Sequence, residues 1–129
     1  MEDVVFQFYI GDTYTRDITI EGYTDDIDEM FFTVKKNITD KRFVLQKTLD
    51  NGITLVDVVY EDDGTTIKQR TYNLLVDASD TEGMTPELEY SFDVEILTEK
   101  DDADPLKKTI ITGTVVLTNA ATRIYNESE

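Results

Sequence analysis

Apolar positions along this 129-residue chain recur mainly at every second residue, and no stretch sustains a helical period. Residues 4–10 form a short apolar run stopped by Gly11-Asp12, and residues 14–20 alternate Thr with Ile. In residues 30–36, Met30, Phe32 and Val34 share one parity, which predicts a third strand. Asn51-Gly52 lies between two β-rich segments and is the residue pair that a two-residue type I′ hairpin favours. That turn predicts antiparallel pairing of Asp50 with Ile53, Leu49 with Thr54, Leu45 with Val58 and Phe43 with Tyr60. Phe43, Leu45, Leu49, Val56, Val58 and Tyr60 then share a core-facing side.

A second turn at Asp63-Gly64 returns the chain through a strand over residues 65–76. Ser79 to Gly83 predicts one capped helical turn and nothing longer. Residues 87–98 alternate most cleanly: Leu88, Tyr90, Phe92, Val94 and Ile96 on one side, Glu89, Ser91, Asp93 and Glu95 on the other. The last strand, residues 107–118, offers Ile111, Val115 and Leu117 to the core, and Gly113 interrupts it as a candidate bulge. About eight strands separated by turn signals predict one antiparallel β-sandwich domain spanning residues 1–129, with a small barrel as the alternative.

Composition narrows the chemistry. There is no Cys, His or Trp. Thiol nucleophiles, disulfides, sulfur-ligated zinc and imidazole-based triads are therefore excluded. The formal charge is −16, from 28 acids against 12 bases. The two halves of the chain share the acids almost evenly, so the surplus is not an acidic tail. Such a chain repels phosphate backbones, and neither nucleic acid nor membrane is expected as a partner. The N-terminus has no basic region followed by an apolar run, so no secretory signal is expected.

Carboxylate clusters are what remains for a site. Asp25, Asp26, Asp28 and Glu29 form one group, and Asp101, Asp102 and Asp104 the other. Calcium favours several oxygens on a loop, but neither cluster follows the EF-hand spacing. Both read more simply as solvated acidic loops that keep strand edges apart. Glu89, Asp93 and Glu95 occupy the polar side of a half-buried strand, the ordinary place for acids, and no pair is marked as a hydrolase dyad. The seven tyrosines are dispersed and fall mostly at strand positions, which favours sheet contacts over a sugar-stacking platform. Asn37-Ile38-Thr39 and Asn126-Glu127-Ser128 match the glycosylation triplet by chance. No catalytic residue and no cofactor is expected.

The order of elements carries a resemblance. Gly11-Asp12-Thr13-Tyr14 precedes the alternating Asp17-Ile18-Thr19-Ile20. Gly22, Asp26-Ile27 and Phe31-Phe32-Thr33-Val34-Lys35 follow, then Asp80-Thr81, Tyr90-Ser91-Phe92-Asp93-Val94, and a glycine-interrupted closing strand from Thr109 to Val115. This succession resembles the small β-sandwich domains of phage and prophage tails of Gram-positive bacteria, related to the N-terminal domain of upper baseplate proteins. The usual proline before Asp26 is absent. The resemblance implies an antiparallel Ig-like β-sandwich and a non-enzymatic structural role in a virion tail or baseplate. It also implies a homo-oligomer that contacts other tail subunits, found in the virion or in the bacterial cytoplasm before assembly. A carbohydrate- or calcium-binding β-sandwich module is the alternative.

Overall fold

In the computed structural model, residues 4–21, 27–37, 39–84, 89–98 and 106–118 are described. The chain forms eight strands and one helical turn: β1 (Val4–Tyr9), β2 (Tyr14–Glu21), β3 (Ile27–Lys35), β4 (Leu45–Leu49), β5 (Gly52–Tyr60), β6 (Ile67–Val76), α1 (Ala78–Thr81), β7 (Glu89–Thr98) and β8 (Leu106–Thr118). They make one sheet in the order β1-β8-β7-β3-β4-β5-β6-β2. No described helix is long and apolar enough to cross a membrane.

The sheet is mixed, which corrects the antiparallel expectation. β1 runs parallel to β8, from Val4 opposite Gly113 to Tyr9 opposite Thr118. The short connection after β1 explains this. Gly11 takes a left-handed φ of 81°, and the Asp12 amide donates to the Tyr9 carbonyl. The chain thereby passes to the far end of the sheet, where β2 pairs antiparallel with β6. Sequence neighbours β1 and β2 thus become the two ends of the hydrogen-bonding order. The sheet curls until those ends meet through side chains: the Phe8 and Tyr14 rings lie 4.3 Å apart, and the Arg16 guanidinium sits 4.5 Å from the Phe6 ring centroid. The result is nearly a barrel.

Strand alternation fills the interior. Phe6, Phe8, Ile18, Ile20, Met30, Phe32, Val34, Tyr72, Leu74, Val76, Tyr90, Phe92, Val94, Ile96, Val115 and Leu117 are all buried in one cluster. At about 1.5–3 kcal/mol for each large apolar side chain, this burial is the main favourable term. β1 lies close against Gly113: a Cβ there would meet the Val4 carbonyl oxygen at 1.9 Å. The irregularity expected at Gly113 lies earlier, where β8 shifts register against Val94 and Glu95.

The hairpin expected at Asn51-Gly52 is not formed. Thr48 and Asn51 instead exchange both backbone hydrogen bonds, so the turn residues are Leu49 and Asp50, and Asp50 takes the positive φ of 64°. Gly52 follows at φ 103° and redirects the chain. β4 pairs with β3, β5 pairs with β6, and β4 and β5 pair with each other only at Thr48–Gly52 and Leu49–Ile53, in parallel sense. A bulge between Leu55 and Asp57 also breaks the alternation of β5. Of the face assigned to the core, Leu45 is buried, whereas Phe43, Val56 and Tyr60 are each about half exposed. Ile53, assigned to neither side, is fully buried.

The expected helical turn is present as α1. The Asp80 carboxylate accepts the Asp77 amide and pairs with the Lys47 ammonium at 2.7 Å, tying α1 to β4. The β5–β6 loop is organised by Asp63, whose carboxylate accepts from the Thr65 amide and from both the amide and hydroxyl of Thr66. The bonds from Thr66, then that from Thr65, pull the Asp63 pKa down to about 2. A depressed carboxylate pKa stabilises the loop above the ordinary value near 3.8, and that contribution is lost as pH falls through about 2. An NMR titration is expected to find the Asp63 midpoint near 2, and Thr66→Val to move it upward.

Candidate functional site

The outer face of β4-β3-β7-β8 holds a cleft of about 380 Å³. Its residues come from the outward parity of strands whose other parity fills the core. On β3 these are Phe31, Thr33 and Lys35, on β7 Asp93 and Glu95, on β4 Gln46, and on β8 Lys107. Lys41 and Phe43, from the segment before β4, complete the rim. Register sets the neighbours: Thr33 lies between Gln46 and Asp93, and Phe31 is opposite Glu95. Directly opposite residues have Cβ atoms about 5 Å apart, so these groups form a contiguous surface.

The cleft mixes charges. The Gln46 side-chain amide donates to the Thr33 hydroxyl at 3.0 Å. Asp93 has its pKa raised by desolvation first and by the neighbouring Glu95 carboxylate second, with Lys35 pulling the other way. Three lysines against two carboxylates leave one positive charge here, on a chain of net −16.

A second feature is the outer edge of β5. Beyond Ile53, no described strand pairs with β5 on the side away from β6. Leu55, Val56, Val59 and Tyr60 along it are between 36% and 54% exposed. Asp57 sits among them, and Glu61, Asp62 and Asp63 follow in the loop, all exposed.

The acidic groups read from the sequence fare differently. Asp28 is exposed at the start of β3. Asp25, Asp26, Asp101, Asp102 and Asp104 lie outside the described residues, as do Gly22, Leu88 and the Asn126 triplet. Among the described residues, no group of three or more acidic side chains gathers as a metal site. Tyr72 and Tyr90 are buried, Tyr14 packs in tilted contacts against Phe6 and Phe8, and Tyr9 and Tyr60 are exposed on different strands. Sequence reading missed the cleft because its lining comes from separate segments. The available signal was the Phe31-Phe32 pair: consecutive strand residues face opposite ways, so one of two adjacent aromatics must leave the core. No protein-family model matches the sequence, and no curated protein matches it.

Proposed function

We propose that this chain is a non-enzymatic structural protein of a phage or prophage tail, associated with the baseplate and acting through contacts with other protein subunits. On this reading the curled sheet is an Ig-like sandwich. Divided at the two-pair junction of β4 and β5, the order sets β1-β8-β7-β3-β4 against β5-β6-β2.

The observation that supports an assembly role is the β5 edge. An apolar strand with open backbone groups on one side is a template for adding a neighbour's strand. Asp57 at its centre selects the neighbour. In a two-fold pairing of β5 with its own copy, the two Asp57 side chains approach each other, and like charges across strands destabilise. A contact with the basic surface of a different tail subunit suits it better. The −16 charge keeps free subunits apart until that surface is met.

Light scattering of the chain, alone and mixed with the products of adjoining reading frames, tests the proposal. A complex larger than one chain is expected. Val56→Lys combined with Tyr60→Lys is expected to weaken it by about tenfold or more while leaving the unfolding temperature nearly unchanged, since both side chains are about half exposed. A strict monomer that binds none of those proteins overturns it.

A further inference from the structure

We propose that the cleft on the outer face of β4-β3-β7-β8 binds a saccharide unit bearing a single negative charge. Three features of the lining converge on this chemistry. Phe31 and the half-exposed Phe43 offer apolar ring surface, on which the C–H face of a sugar stacks. Asp93 and Glu95 accept hydrogen bonds and donate none when ionised, so they call for hydroxyl groups and disfavour a bare anion. The Thr33–Gln46 pair adds further donor and acceptor capacity in the middle of the site. Lys35, Lys41 and Lys107 outnumber the two carboxylates by one, so one anionic group balances the cleft. On a surface otherwise dominated by acids, that excess favours a uronate over a neutral hexose. This site is separate from the β5 edge and does not depend on the assembly role.

The test is an NMR titration of the ¹⁵N-labelled full chain with glucuronate, glucose and acetate as separate probes. Glucuronate is expected to shift the Gln46 side-chain amide and the backbone of Thr33, Asp93 and Lys107, with a Kd about tenfold below those for glucose and acetate. Lys107→Ala and Phe43→Ala, both at exposed positions, are each expected to weaken glucuronate about threefold or more at an unchanged unfolding temperature. Equal binding of glucose removes the role of charge and overturns the proposal. Equal binding of acetate reduces the site to an anion spot and overturns it too. So do shifts outside the cleft, or wild-type binding by both variants. Shifts of the cleft residues with protein concentration alone assign the surface to a second copy of the chain instead.

Discussion

Gly113→Ala is expected to destabilise the protein by about 2–4 kcal/mol, although it adds one methyl group. The position has no positive φ to explain a glycine. The reason is space. An added Cβ would lie 1.9 Å from the Val4 carbonyl oxygen, 2.8 Å from the Val4 carbonyl carbon and 2.6 Å from Phe92 Cε2. Two of those atoms are backbone, so no rotamer change relieves the contact. β1 must move, and Val4 opposite Gly113 is the first pair of the β1–β8 ladder. That ladder holds Phe6 and Phe8 in the core at about 1% exposure each. For a domain of this length the loss corresponds to a drop of roughly 10 °C or more in the unfolding temperature. Hydrogen exchange is expected to locate the loosening in β1 ahead of β3 and β7. Gly83→Ala is the control: nothing lies within 4 Å of its added Cβ, and a change within about 0.5 kcal/mol is expected. A similar small effect at Gly113 would refute the close approach.

The Gly113 contact also marks the limit of what the sequence discloses. Strand identity is legible wherever one face is buried: Tyr90, Phe92, Val94 and Ile96 are all in the core, as their alternation predicts, and so are Met30, Phe32 and Val34. Long-range partnership is not legible. Nothing near Val4 announces a parallel partner more than a hundred residues away, and Gly113 reads locally as a bulge rather than as the floor under another strand. The Asn51-Gly52 pair misleads for a related reason. Turn chemistry specifies that the chain bends nearby, but Asp50 also tolerates the left-handed region, and the bend settles on Leu49-Asp50. Once the turn shifts, β4 and β5 separate to different neighbours, and the expected hairpin faces no longer apply. The same separation opens the β5 edge, so the surface proposed for assembly lies behind the expected hairpin pairing. The cleft was half legible. The alternation of β7 puts Asp93 and Glu95 on its outer side, where the cleft has them, yet the other lining groups Gln46, Lys35 and Lys107 follow only from register.

Phe92→Ala is expected to cost about 3–5 kcal/mol, the usual range for truncating a fully buried phenylalanine. Phe92 is central to the aromatic cluster: its ring lies 4.6 Å from Phe6 and 5.5 Å from Phe32, measured between centroids. It therefore joins β7 to β1 and β3 at once. Phe92→Leu, which keeps most of the volume, should cost clearly less, about 1.5 kcal/mol. The informative experiment is the double variant with Gly113→Ala, because Phe92 lies opposite Gly113 and its ring accounts for one of the two obstructions there. Removing the ring frees the space on the Phe92 side but leaves the Val4 carbonyl in place. Gly113→Ala should thus cost less in the Phe92→Ala background than in the wild type, without becoming neutral. Chemical denaturation of all four proteins gives the coupling, expected at about 1 kcal/mol or more for residues in direct contact. Strict additivity would mean that ring and glycine do not touch. A complete loss of the Gly113→Ala effect would mean that β1 yields freely, and that Phe92 alone, rather than the strand's backbone, requires the glycine.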